Sequence, residues 1–371
     1  MIDFDQLRRW PDVEAPELVA HDATDRLLLD TAEEALVAYP GHVAVVGDRY
    51  GALTLGAASL VGPHELRVHQ DALSGELALA ANADALGSEA AWQSLPLEPS
   101  LVEGARVVLL QLPRGLDALD EIAGLVAAHA HPDVRLYAGG RVKHMTVAMN
   151  EVLRRHFGDV QAGLARQKSR VLTASTPSGA TTSSWPRSER HADPDLVVVA
   201  HGAAFAGTSI DLGTRALLAA LAAEQPEAER VVDLGCGTGV LAVTYALAHP
   251  RAAVVATDQS AAAVASAVET AAVASVGDRV EVRRDDAGGS LPGGAADLVL
   301  LNPPFHVGAT VHAGIAHKLV DAAARLLRPG GELWCVWNSH LGYRSRLERV
   351  VGPTRQVSRD SRFTVTVSTR R

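Results

Sequence analysis

An α/β fold, built as two tandem copies of one plan, is predicted by three features of this 371-residue chain. Short apolar runs alternate with helical patterns through residues 195–371. A similar order of runs recurs through residues 1–172. Between them lies TASTPSGATTSSWPRSERHADP, residues 173–194, rich in Ser, Thr, Pro and Gly and without helical or strand periodicity, which reads as a linker. Length agrees, since a single core rarely grows past roughly 250–300 residues and two domains of about 150–190 each are favoured.

In the second half, 211–223 reads as a helix, 230–234 as a strand, 240–248 as a helix and 253–257 as a strand. An alanine-rich helix is expected over 261–274, then strands at 280–284 and 298–301. A helix over 312–327 is closed by Arg328-Pro329-Gly330, and a fifth strand covers 332–337. Such alternation implies a parallel sheet with helices on both faces. The ending differs: in RFTVTVSTR, Phe363, Val365 and Val367 alternate with Thr364, Thr366 and Ser368, the period-2 pattern of an antiparallel strand.

The first half lies over the second. HVAVVGD (42–48) matches RVVDLG, ELRVHQD (65–71) matches the strand ending at Asp258, and ARVVLLQLPR (105–114) matches ADLVLLNPPF. Asp48 to Asp71 spans 23 residues and Asp233 to Asp258 spans 25, as an internal duplication would give. The first copy is eroded at its turns. It has Gly-Asp-Arg-Tyr-Gly for Gly-Cys-Gly-Thr-Gly, and Gln-Leu-Pro-Arg for Asn-Pro-Pro-Phe. Residues 195–371 are therefore expected to be the catalytic domain, and residues 1–172 a degenerate partner for binding or stability.

Composition excludes several classes. At 47% hydrophobic and 21% charged the chain is neither disordered nor fibrous. Two cysteines, Cys236 and Cys335, give no disulfide framework and no zinc spacing, so no metal is expected. The opening MIDFDQLRRWPDVEAPE lacks a signal-peptide core and no long apolar run follows, so a cytoplasmic protein without a membrane span is expected. The net charge of -9 argues against a surface that coats nucleic acid throughout, but 135–170 and 341–371 each carry a net +6. Each patch is either a solvated face or a phosphate-tracking surface; with lysine only at 143, 168 and 318, codon bias explains the arginine preference equally well.

Val231-Val232-Asp233-Leu234-Gly235-Cys236-Gly237-Thr238-Gly239 follows a strand and opens a helix. Glycines at alternate positions let the backbone turn tightly and let a ligand approach. The spacing is not that of a Gly-x-Gly-x-x-Gly pyrophosphate turn, and an acid at 233 would repel phosphate but suit an amine or a cation. S-adenosylmethionine offers both. Asp258, ending the next strand and followed by Gln259, is placed for the ribose hydroxyls. Asp286 is a candidate for the adenine amine, with Asp285 the alternative one position away.

The run LVLLNPPFHVG stops at residues that share no structural preference, because two prolines cannot extend a ladder. Strand ends of an open α/β sheet share one crevice, so Asn302 is expected beside the glycine turn. The Asn302 side-chain carbonyl and the Pro303 backbone carbonyl suit a planar exocyclic amine, and Phe305 suits a ring stacked on it. Pro304 and His306 flank that position; a surface or capping histidine is the other reading of His306.

These residues resemble bacterial ribosomal RNA guanine-N2 methyltransferases with two tandem class I methyltransferase-like, Rossmann-like domains. The resemblance rests on NPPFH, on Phe205-Ala-Gly-Thr-Ser-Ile-Asp211-Leu-Gly213 and on VWNSHLGY (336–343), the last favouring the large-subunit enzyme over its small-subunit cousin. It implies a mostly parallel seven-stranded sheet in the C-terminal domain, S-adenosylmethionine as cofactor and ribosomal RNA or a ribosomal subunit as partner; a monomer is expected. It also implies Phe205 near the substrate and Asp211 near the methionine end of the cofactor, a helix N-cap being the alternative for Asp211. Where the family usually has Phe-Ser-Arg this chain has Phe205-Ala206-Gly207, removing a hydroxyl and a charge. Adenine-N6 or protein glutamine-amide methylation, or a non-enzymatic RNA-binding assembly factor, are the rival readings.

Overall fold

A computed structural model describes residues 2–179, 184–304 and 309–371. The chain divides into two compact units, Met1–Trp185 and Pro186–Arg371.

The first unit runs α1 (Ala23–Ala38), β1 (Val43–Val46), α2 (Ala52–Val61), β2 (Leu66–His69), α3 (Leu73–Ala85), β3 (Trp92–Ser94), α4 (Pro99–Val102), β4 (Val107–Gln111), α5 (Leu116–His129), β5 (Arg135–Arg141), α6 (Val147–His156), β6 (Phe157–Ala162) and β7 (Ser169–Pro177). Its seven strands take the order β3-β2-β1-β4-β5-β7-β6. Alternate residues of β1 feed two cores. Val43 and Val45 pack with α1, α2 and α3 on one face, and Ala44 and Val46 with α4, α5 and α6 on the other.

The second unit begins with a hairpin of β8 (Arg187–Ala192) and β9 (Asp195–Ala200). Then come α7 (Leu212–Glu224), β10 (Arg230–Leu234), α8 (Val240–Ala248), β11 (Ala253–Asp258), α9 (Ala261–Val273), β12 (Val280–Arg284), β13 (Ala296–Leu301), α10 (Ala309–Leu326), β14 (Leu327–Asn338), α11 (Arg344–Val350), β15 (Thr354–Arg359) and β16 (Phe363–Thr369). The sheet order β12-β11-β10-β13-β14-β16-β15 repeats that of the first unit position for position. Strands β10 to β14 pair in parallel, and β16 is antiparallel to both β14 and β15, as its alternation predicts. The mostly parallel α/β sheet and its duplication thus follow the sequence pattern, the count of seven strands agrees with the family resemblance, and β15 is a strand that the pattern did not announce.

Two expectations need correction. The stretch 173–194 is not all linker. Residues 173–177 belong to β7, between β5 and β6, and 187–192 form β8. Ser and Thr fit half-buried strands as well as loops, and here Val171, Leu172 and Ala174 carry β7 into the core. Arg328-Pro329-Gly330 falls inside the span of β14: Ala296 pairs with Leu327 and Leu298 with Glu332, so the intervening residues bulge from the ladder.

Candidate active site

Strands β10 and β13 lie side by side in parallel, so the turn after one and the Asn302-Pro303-Pro304 stretch after the other share one sheet edge. The glycine turn is stitched to β11. Gly235 N and Cys236 N both donate to Thr257 O, at 2.8 and 2.9 Å, and Gly237 N donates to Asp258 Oδ2 at 3.0 Å. Gly235, Gly237 and Gly239 all have positive φ. Among the described residues, a Cβ on Gly235 or Gly237 would meet nothing within 4 Å, whereas one on Gly239 would lie 3.0 Å from the Ala267 Cβ. The first two glycines therefore border open space and the third packs α8 against α9.

Asp233 is fully buried. Its Oδ2 accepts from Ala242 N at 3.0 Å, bracing α8, and among the described residues its Oδ1 has no partner. Burial pushes the carboxyl up to about 7, with a smaller push from Asp258. Burial also drives the Cys236 thiol well above its ordinary range, which makes it an inert packing group.

Asp258 accepts from Gly237 N through one oxygen and from Ser260 N, at 2.9 Å, through the other. Gln259 follows it, its carbonyl accepting from Arg284 Nε at 3.4 Å. After β12 the two candidate acids separate by role. Asp285 is buried and accepts from Ser290 N and Oγ, while Asp286 pairs with Lys318 of α10 at 2.5 Å.

Asn302 gathers residues far away in the chain. Its Nδ2 donates to Asp211 Oδ2 and to Thr214 Oγ1, each at 3.0 Å. Asp211 is the N-cap of α7, accepting from Gly213 N and Thr214 N. Asn302 is half-buried, Pro303 buried, Pro304 exposed, and Phe205 is 61% exposed. Phe305 and His306 lie outside the described residues.

An unpartnered buried carboxylate oxygen at 233, uncrowded glycines at 235 and 237 and an acid closing β11 suit a ligand that carries a cationic amine and a ribose. Comparison with known proteins names the class. Residues 195–367 match the Methyltransferase small domain and residues 3–178 the RLMG N-terminal domain. Ribosomal RNA large subunit methyltransferase G of Ectopseudomonas mendocina is 35% identical over 363 residues, 97% of this chain and 96% of the relative. That of Streptomyces coelicolor is 35% identical over 369 residues with the same coverage. The chain belongs to the ribosomal RNA large subunit methyltransferase G family. Among solved structures, a T. thermophilus 16S rRNA N2 methyltransferase in complex with AdoMet and guanosine has a TM-score of 0.74 at 23% identity, covering 95% of this chain and 92% of its own, a likeness of fold.

In this family member the first unit keeps the frame of the site and changes its chemistry. Gly47 N donates to His69 O at 2.9 Å just as Gly235 N donates to Thr257 O, so Gly47 corresponds to Gly235. Asp48 therefore corresponds to Cys236, as the turn comparison has it and not to Asp233 as the acid spacing implied, and Gln70 rather than Asp71 takes the place of Asp258. Val45 stands where Asp233 stands, and the helix brace has moved into the turn: Asp48 Oδ2 accepts from Thr54 N at 2.7 Å. Gln111, matching Asn302, donates its Nε2 to Asp25 at the start of α1.

Sequence reading missed Thr214, Ser260 and Lys318. Ser260 announces itself as an N-cap before an alanine run, accepting from Ala263 N. Thr214 lies 88 residues from Asn302, and nothing local signals that pairing.

Proposed function

We propose that this chain transfers the methyl group of S-adenosylmethionine to the exocyclic N2 amine of a guanine in large-subunit ribosomal RNA, acting as a monomer in the cytoplasm. The observation that carries the reading is the adjacency of β10 and β13, whose carboxyl ends bring the glycine turn and Asn302-Pro303 to one edge. The names of the curated relatives supply the large subunit, and the structural neighbour, an N2 methyltransferase held with AdoMet and guanosine, supplies the N2 position, the cofactor and the base. All the proposed site residues come from one unit of one chain, which suits a monomer. Among the described residues no helix is long and apolar enough to cross a membrane, and no His, Cys, Asp or Glu group could hold a metal ion.

In this reading Asp233 Oδ1 and Asp211 border the methionine end of the cofactor. Gly235 and Gly237 form the floor, Cys236 and Gly239 hold the turn in shape behind them, Asp258 and Gln259 take the ribose, and Asp286 faces the adenine. When bound, S-adenosylmethionine supplies a methyl group on a sulfonium, already an activated leaving group. The chain's own task is then orientation. Asn302 Oδ1 and the Pro303 carbonyl accept the two N–H bonds of the guanine amine, which favours a pyramidal nitrogen with its lone pair turned toward the donor. Phe305 stacks on the base, worth roughly 1–3 kcal/mol, with Pro304, His306 and Phe205 around it. Positioning of this kind can account for on the order of 7–11 kcal/mol of barrier lowering without a strong base.

The test is the modified base itself. Ribosomal RNA from cells with and without the protein, digested to nucleosides and analysed by mass spectrometry, should differ by one N2-methylguanosine in the large subunit. Complementation with Asn302→Ala should not restore it. A difference in N6-methyladenosine instead would refute the reading.

A further inference from the structure

We infer that Asp211 and Thr214 are positioning residues that fix which way round the Asn302 amide sits, and so decide that an acceptor faces the substrate. The inference rests on the proposed role of Asn302 and adds residues to it.

A side-chain amide presents either two N–H donors or a carbonyl oxygen, depending on a half-turn about its last bond. Only the oxygen can receive an N–H from a base amine; the reversed amide would set donor against donor. Here the orientation follows from the neighbours. Asp211 Oδ2 already accepts from Gly213 N at 2.9 Å and Thr214 N at 3.2 Å, so it is fixed as an acceptor, and the Asn302 atom 3.0 Å from it must be the donor. Thr214 Oγ1, 3.0 Å from the same Nδ2, takes a second N–H. With both amide protons committed to α7, Asn302 has only its carbonyl oxygen to offer outward.

Local geometry supports the clamp. Gly213 sits between the two partners, and a Cβ there would lie 2.9 Å from Asp211 Oδ2 and 3.0 Å from Asn302 Oδ1. The first unit retains the outline of the device, Gln111 donating to Asp25, which is the third residue of α1 as Thr214 is of α7. A purely structural helix-to-strand tie is therefore the rival explanation, and the experiment must separate the two.

Thr214→Val removes the acceptor and keeps the shape; Thr214→Ser keeps the acceptor. Loss of one such hydrogen bond at the site should lower kcat about tenfold in Thr214→Val, with S-adenosylmethionine affinity and thermal midpoint near those of the wild type, and Thr214→Ser should recover most of the rate. Asp211→Asn, which can present an NH2 to Asn302, should be slower still. In the protein without ligands, hydrogen exchange of the Asn302 side-chain NH2 by NMR should be slow in the wild type and Thr214→Ser and faster in Thr214→Val. An unchanged kcat in Thr214→Val, a Ser variant as slow as the Val variant, or a lowered thermal midpoint with unaltered kcat would overturn the proposal. A wild type that makes no N2-methylguanosine yet shows the same exchange pattern would overturn the functional reading and leave the clamp standing.

Discussion

Asp233 Oδ2 accepts the amide proton of Ala242 at 3.0 Å, while Oδ1 of the same buried carboxyl meets no partner among the described residues. Half of the carboxyl braces α8; the other half bears an uncompensated desolvation cost that raises its pKa from 3.8 to about 7. Because the folded state holds this proton more tightly than the unfolded chain, the folded protein loses stability as pH rises from about 4 to about 7, and the loss levels off above that. Asp233→Asn keeps an oxygen for Ala242 and carries no charge. It should raise stability above pH 7, by up to about 4 kcal/mol as an upper bound, and remove this part of the slope. Asp25 is also raised to about 7, chiefly by burial, and contributes a slope of its own. The difference between wild-type and Asp233→Asn denaturation midpoints across pH isolates the Asp233 share. Parallel curves would refute the assignment.

The same carboxyl couples ligand binding to pH. A cationic amine at Oδ1 favours the ionised form, so binding should release a proton from whatever fraction of Asp233 still holds one. S-adenosylmethionine affinity should therefore rise with pH between about 6 and about 8 and flatten above, with proton release detectable by calorimetry in buffers of different ionisation enthalpy. A dissociation constant indifferent to pH over that range would remove the amine from Asp233.

How much of this was legible in the chain depends on the range of each signal. Strands β10 and β12 fall where their apolar runs predict, and the antiparallel β16 follows from strict alternation, because those patterns are local. The separation of Asp285 from Asp286 was not readable. Adjacent acids in RRDDAGG look alike until the chain folds one over Ser290 and turns the other toward Lys318. The offset between the copies has a similar cause. Asp48 and Asp233 perform one task, holding the third amide of the helix that follows the first strand, from different positions, so comparing acid spacings paired two residues that do not correspond.

Gly213→Ala pits propensity against geometry. Alanine in a helix is favoured over glycine by up to about 1 kcal/mol, so α7 alone would gain stability. The added carbon would nevertheless press on Asp211 Oδ2 and Asn302 Oδ1, and displacing Asn302 by even a few tenths of an ångström misaligns the acceptor. The expected outcome is a thermal midpoint that stays level or rises while kcat falls about tenfold or more. Equal losses in both, or in neither, would show that Asn302 does not need its present place.

Asp258 and Gln70 occupy equivalent strand ends in the two units and should answer differently to the same truncation. Asp258 holds Gly237 N and Ser260 N and is assigned the cofactor ribose; Gln70 donates to Asp48 O at 2.9 Å inside a buried turn. Removing Asp258 by alanine frees the turn as well as the ribose contact, so S-adenosylmethionine affinity should fall by two or more orders of magnitude on the scale of about 1–3 kcal/mol for each lost charged hydrogen bond, with kcat at saturation much less affected. Gln70→Ala should cost about 1–3 kcal/mol of stability and leave cofactor affinity alone, since it leaves the Asp48 carbonyl in the first unit's buried turn without this donor. Calorimetric titration and thermal unfolding of the two variants side by side decide the matter. If Gln70→Ala weakened cofactor binding as much as Asp258→Ala, the division of labour between the two copies would be wrong.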